Sequence, residues 1–258
     1  MMMSSAHIIP ICGFPVREGN SDEIARDLLA NVNEKRRYAV FFANPNFIVK
    51  CSHLRQRMQA QQVTILNDGI GMDMAAWLMR RKPFKENLNG TDFIPYLFRQ
   101  SDRKLRLYLL GGTYDVVFEA AKHINVVFGH RVVGLRDGYD SLRDRVDTVN
   151  SINTANPDIL LVALGNPSQE EWILKNLENL NCPLVLAVGG LFDFWSGAKP
   201  RAPAYIRKCR LEWLFRLCLE PRRLGRRYTI DVIRFLVRCA HDQRGASPYR
   251  HLLTNEGE

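Results

Sequence analysis

Asp158-Ile159-Leu160-Leu161-Val162-Ala163-Leu164-Gly165-Asn166-Pro167-Ser168-Gln169-Glu170-Glu171-Trp172 is the stretch that decides the fold class. The apolar run is too short for a helix and reads as a buried strand, which Gly165-Asn166-Pro167 stops. A helical pattern over 168–179 follows at once. The same strand–turn–helix order recurs along the chain. Tyr38-Ala39-Val40-Phe41-Phe42, Val63-Thr64-Ile65-Leu66, Leu105–Leu110, Arg131–Gly134 and Pro183–Val188 read as further strands. Helices are predicted over 21–33, 71–81, 113–123 and 140–152. The first has Asn20 or Ser21 as its N-cap and Ile24, Leu28 and Leu29 on one face. Strands separated by helices of this length imply βαβ crossovers, hence an α/β protein whose mainly parallel sheet carries helices on both faces.

Five strand ends run directly into Gly or Asn: Ala43-Asn44-Pro45, Asn67-Asp68-Gly69-Ile70-Gly71, Gly111-Gly112, Gly165-Asn166-Pro167 and Gly189-Gly190. Ligands of open parallel sheets bind outside the carboxyl ends of the strands. Glycine there lets backbone N–H groups approach a phosphate, and the next helix N-terminus adds favourable partial charge. Ordinary turn chemistry explains any one of the five. The set favours a diphosphate-containing ligand.

Charge divides the chain in two. Residues 1–198 carry 22 basic and 21 acidic side chains, whereas residues 199–258 carry 14 and 6. A uniformly basic nucleic-acid coat is thereby disfavoured, and a near-neutral body (1–198) with a cationic appendage (199–258) is favoured. The six cysteines are scattered, without a C-x-x-C pair, and read as buried or partly buried free thiols. The N-terminus lacks a cationic segment ahead of its short apolar run, and no stretch reaches the ~18–20 apolar residues of a spanning helix. These features imply a cytoplasmic protein whose membrane contact is peripheral.

Several chemistries are disfavoured. There is no G-x-x-x-x-G-K-[ST] and no G-x-S-x-G, and Asp68-Gly69-Ile70-Gly71 lacks the third glycine of a dinucleotide fingerprint. His123 and His130 do not have metal-ligand spacing and read as packing residues. Two alternatives to a transferase stay open on the residues alone. One is a Rossmann-type oxidoreductase using NAD(P); the other is a non-enzymatic basic adaptor for membranes or nucleic acid.

The ordered motifs carry a resemblance. They are Asn67–Met72, Leu88-Asn89-Gly90-Thr91-Asp92-Phe93, Leu109–Gly112, Asp137-Gly138-Tyr139, Leu164–Ile173, Val188–Phe194, and Arg201-Ala202-Pro203 with Leu211–Leu217 and Glu220–Leu224. Together the chain from about Ile8 to about Leu236 resembles the WecG/TagA/CpsF family of bacterial glycosyltransferases, glycosyltransferase family 26. The Asn87-Leu88-Asn89-Gly90-Thr91-Asp92-Phe93 wording is most similar to the proteobacterial exopolysaccharide members, among them xanthan-type glucosyltransferases.

The resemblance implies a Rossmann-like core and inverting, metal-independent transfer from a UDP-sugar to a polyprenyl-diphosphate-linked sugar. It places the protein on the inner face of the cytoplasmic membrane, with no cofactor and no nucleic-acid partner. Homo-oligomerisation stays open. Inverting transfer needs a base for the acceptor hydroxyl and stabilisation of the departing diphosphate. By the family's motif Asp68 is the base, although an Asp here also suits a helix cap. Arg216 matches an arginine that reaches over the active site, with Arg223 and Arg226 as supporting cations. Gln169 and Glu170 resemble a donor-contacting pair; Glu170 also suits the first turn of a helix as an acid. Asn44, Gly69, Asn89, Asp92, Gly111, Gly112, Gly138, Tyr139, Gly165, Asn166, Gly189 and Gly190 complete the donor and acceptor contacts. Two positions depart from the family: Phe42 stands where relatives often have Thr, and Asn87 where they often have Arg.

In the basic region Tyr205, Ile206, Cys209, Trp213, Leu217 and Cys218 fall on one face of a helix predicted over 205–218. With Arg207, Lys208, Arg210 and Arg216 mostly elsewhere, this amphipathic segment suits an anionic membrane surface, or a helix packed on the core.

Overall fold

The computed structural model describes residues 7–139, 145–208 and 211–244. Its strands are β1 (Ile8–Ile11), β2 (Phe14–Arg17), β3 (Tyr38–Ala43), β4 (Val63–Asn67), β5 (Arg106–Gly111), β6 (Arg131–Arg136), β7 (Ile159–Ala163) and β8 (Leu184–Ala187). They form one sheet in the order β1-β2-β4-β3-β8-β7-β5-β6. Only the β1–β2 pair is antiparallel. All six strands expected from the apolar runs are present. The β1–β2 hairpin is additional, turning at Cys12 and Gly13, whose φ angles are 49° and 77°; positive φ at both central residues suits a tight hairpin.

Residues alternate across the strands, and each face of the sheet builds its own core. On one face Phe41, Tyr108, Leu110, Leu160, Val162 and Val185 meet α2 (Pro45–Lys50), α3 (Ile70–Arg80) and α7 (Ser168–Asn176). On the other, Val40, Leu107, Leu109, Leu161 and Leu186 meet α1 (Ser21–Asn33), α4 (Gly90–Arg99), α5 (Tyr114–His123) and α8 (Leu191–Trp195). This is an α/β fold consistent with a Rossmann-like core. Asn20 is the N-cap of α1, accepting from Glu23 N at 2.9 Å. The helix predicted over 140–152 is α6, Arg145–Ala155; residues 140–144 lie outside the described residues.

The predicted helix over 205–218 is two helices. They are α9 (Ala204–Lys208) and α10 (Glu212–Leu219), with Leu211 at the N-cap position of α10. Cys209 and Arg210 lie outside the described residues. After them come α11 (Pro221–Tyr228) and α12 (Ile230–Arg244). α12 packs against α2 and α3 and inserts Phe235 and Cys239, both fully buried, into the core on that face. Cys239 Sγ lies 3.1 Å from Cys12 Sγ, so α12 touches the β1–β2 hairpin. Cys12, Cys51, Cys182 and Cys239 are buried free thiols, but Cys218 is exposed on α10. His130 is buried, its Nε2 3.1 Å from Phe98 O, and His123 stacks on Trp195. Both are packing residues. Among the described residues no helix is long and apolar enough to cross a membrane.

Candidate active site

Asp68 is placed by the sheet itself. Its backbone N–H donates to Ala43 O at 2.7 Å, carrying the β3–β4 ladder one residue past β4. Its side chain therefore stands at the carboxyl end of the parallel strands. Gly69 then takes φ +87°, a conformation L side chains rarely adopt, and its N–H donates to Asn87 Oδ1 at 2.8 Å. Gly69, not Asp68, occupies the cap position of α3.

Asn44 stands beside it at the end of β3 and has two tasks. Its Oδ1 accepts from Phe47 N at 3.1 Å, capping α2, and its Nδ2 donates to Asp68 Oδ2 at 3.0 Å. The cap fixes the Asn rotamer, and the fixed Asn in turn orients the carboxylate. Phe42, two residues earlier, is buried against Phe93, with the Gly90 backbone close to its ring. It packs the core on the α4 face.

Above these residues lies a cavity of about 580 Å³, within the range of small-molecule sites. Asn44, Asp68, Gly69, Asn89, Asp92 and Arg216 all line it. Asn89 is the N-cap of α4, accepting from Asp92 N at 2.9 Å and donating to Asp92 Oδ2 at 3.0 Å. The other Asp92 oxygen accepts from Arg201 and, at 3.1 Å, from Arg207. Asp92 thus ties the basic region to the body.

Arg207, Glu212 and Trp213 also line the cavity, and sequence reasoning did not assign them to the site. Burial raises the Glu212 carboxyl pKa; Arg201 and Arg216 oppose the shift, and Asp92 and Asp68 add to it. Acids and arginines from both halves of the chain therefore share one electrostatic neighbourhood. The Arg216 guanidinium lies 4.9 Å from the Phe194 ring centroid, a cation–π distance, and its Nη2 comes within 3.8 Å of where a Gly190 Cβ would stand.

The predicted residues from Gly111 to Gly190 do not line this cavity. They lie at the carboxyl ends of β5 to β8, on the same rim of the sheet. At Gly111 a Cβ would stand 2.3 Å from Ala163 O at φ +126°, so this glycine is required by the neighbouring strand. Gly138 N donates to Gly112 O at 2.8 Å, and Tyr139 is largely exposed. Gln169 and Glu170 are buried at the start of α7. Glu170 Oε1 accepts from Asn166 Nδ2 at 2.7 Å and from Gln169 Nε2 at 2.8 Å, while Gln169 Oε1 accepts from Gly189 N at 3.1 Å. The pair thus joins the turn after β7, which holds Gly165, to the turn after β8. Burial pushes the Glu170 pKa up to about 7 against the donated hydrogen bonds. The side chains of Arg223 and Arg226 lie outside the described residues. Among the described residues no three His, Cys, Asp or Glu side chains group as metal ligands would.

A parallel α/β sheet with a polar crevice outside the carboxyl ends of its strands defines a ligand-binding protein of the open-sheet class. Its family is also defined. The chain belongs to the Glycosyl transferase WecG/TagA/CpsF family, whose profile matches residues 9–248. It is 32% identical over 187 residues to the N-acetylglucosaminyldiphosphoundecaprenol N-acetyl-beta-D-mannosaminyltransferase of Bacillus spizizenii strain W23, covering 72% of this chain and 71% of that one. It is 29% identical over 180 residues to the enzyme of the same name from Staphylococcus aureus strain NCTC 8325, covering 67% and 68%. The protein is a glycosyltransferase, and the oxidoreductase and adaptor alternatives give way to that class.

Proposed function

We propose that the protein transfers a hexose or N-acetylhexosamine-type sugar from a UDP-sugar to a polyprenyl-diphosphate-linked sugar, with inversion and without a metal, in bacterial surface or exopolysaccharide synthesis. The observation that carries this reading is the Asn44–Asp68 pair in one cavity with Arg207 and Arg216. Asp68 accepts the proton of the acceptor hydroxyl as that oxygen attacks the anomeric carbon. The bond from that carbon to the UDP oxygen breaks, and the charge left on the diphosphate is met by guanidinium groups. The relatives named above act, by their names, on a sugar attached to diphosphoundecaprenol, which supports a lipid-linked acceptor here. The basic residues after 198 favour work at the anionic inner face of the cytoplasmic membrane.

Asp68→Asn tests the base. It is expected to lower turnover on lipid-linked acceptors by about 10²–10⁴-fold while UDP binding, measured by calorimetry, is retained. Turnover at the wild-type rate would remove Asp68 from the mechanism. Unchanged wild-type transfer in a chelator is the expected result for a metal-independent site.

A further inference from the structure

Helix α3 has an inverted surface. A surface helix normally presents polar side chains to solvent, yet every residue of α3 that is exposed is apolar: Ile70 at 41%, Met74 at 47% and Trp77 at 52%. Their i, i+4, i+7 spacing puts them on one face, opposite the buried Met72, Ala75 and Ala76. The row begins inside the site, because Ile70 and Met74 line the cavity that holds Asp68. It ends at Trp77, about 10 Å further along at 1.5 Å per residue. There the Arg81 guanidinium stacks on the indole at 4.9 Å, and Arg81, Lys82 and Lys85 are all exposed. Alongside, α12 packs on α3 and contributes Val232 to the same cavity.

We infer that the exposed face of α3 is a ledge for the hydrocarbon chain of the acceptor, leading its first isoprenoid units from the diphosphate in the cavity to the bilayer. The inference rests on the lipid-linked acceptor proposed above. An apolar row that starts in a polar pocket and ends in an aromatic ring stacked by a guanidinium fits a ligand with an anionic head and an apolar tail. It does not fit a free nucleotide or a water-soluble sugar. Trp77 stacked by Arg81, with exposed Lys82 following in sequence, suits the depth of anionic headgroups, where amphipathic aromatic rings settle.

The test uses the full chain and two probes, farnesyl diphosphate and inorganic diphosphate, with binding measured by calorimetry. The wild type is expected to bind farnesyl diphosphate at least ten-fold more tightly than inorganic diphosphate. Trp77→Gln should shrink that ratio by roughly five- to ten-fold, and Trp77→Phe should restore most of it. An equal affinity for the two probes in the wild type would overturn the inference, as would a ratio that Trp77→Gln leaves unchanged. So would conversion of a wild-type dimer to monomers by Trp77→Gln in sedimentation, which would assign the ledge to a second copy of the chain. Binding is read without turnover. Lack of sugar transfer in a separate assay would therefore count against the proposed reaction and leave the ledge to be judged by the probes.

Discussion

Asn44 allows capping and catalysis to be separated at one position. Asn44→Asp preserves the cap, since Asp and Asn are equivalent N-caps, so α2 should keep its stability. What changes is the partner offered to Asp68: a donated N–H becomes a second carboxylate. Starting from the 3.0 Å contact between Asn44 and Asp68, repulsion will open the pair to about 4 Å. Two unit charges at that separation repel by about 1 kcal/mol in a water-like dielectric and about 4 kcal/mol at an effective value of 20. At 1.36 kcal/mol per unit, this raises the Asp68 pKa by about 1–3 units. A base must be unprotonated to act, so the acidic limb of the kcat/KM profile should move to higher pH by that amount, with activity recovering as pH rises. The companion variant Asn44→Ser keeps a capping oxygen but donates nothing useful to Asp68. Losing that donor favours the protonated carboxyl, so kcat should fall and the limb should move in the same direction but less far than in Asn44→Asp. The assay is sugar transfer from a radiolabelled UDP-sugar between pH 5 and 9, with thermal unfolding as the control for the cap. A wild-type pH profile in a folded Asn44→Asp protein would refute the claim that Asn44 orients a catalytic Asp68.

Two further outcomes concern stability. Gly111→Ala would place a methyl group 2.3 Å from Ala163 O at a φ of +126°. It should cost at least about 3 kcal/mol, read as a lower denaturation midpoint; a loss below about 1 kcal/mol would show that the strands part easily. Glu170, with its pKa raised to about 7, favours its protonated form in the fold. Its contribution to stability is complete below the ordinary value of 4.5 and is lost as pH rises to about 7. Glu170→Gln should match the wild type near pH 4 and exceed it by up to about 3 kcal/mol at pH 8. Parallel melting-temperature curves for the two proteins would contradict this.

The parallel strands were legible because each is an apolar run cut off by Gly or Asn, which is a local signal. The β1–β2 hairpin was not: Pro10 breaks the apolar run, and the turn rests on Cys12 adopting a φ of 49°, which no composition rule anticipates. Helix α2 was missed although Asn44-Pro45 is a cap followed by proline at the first helical position. The strand-end reading was spent on ligand contacts and overlooked the cap. At the site, Asp68 and Arg216 were legible only through ordered family motifs. Arg207, Glu212 and Trp213 were not, because their place in the cavity with Asp92 is set by how α9 and α10 fold back over more than a hundred residues. Gly111 was read as a place where backbone approaches a phosphate and Gly138 as a donor contact; what approaches them in this structure is neighbouring backbone and, at Gly138, the Leu164 side chain.

The contact between Cys12 and Cys239 has a consequence for how the chain is made. The hairpin leaves the ribosome 227 residues ahead of the helix it rests against, with Phe235 and Cys239 completing a core begun by Ile9, Ile11 and Phe14. Synthesis at about 5–20 residues per second leaves an interval on the order of ten seconds or more in which that early apolar surface has no final cover. During that time the nascent protein is exposed along β1 and β2, where a chaperone or a sister chain can pair with it. Expression yield should therefore depend on whatever shields β1 and β2 until α12 arrives.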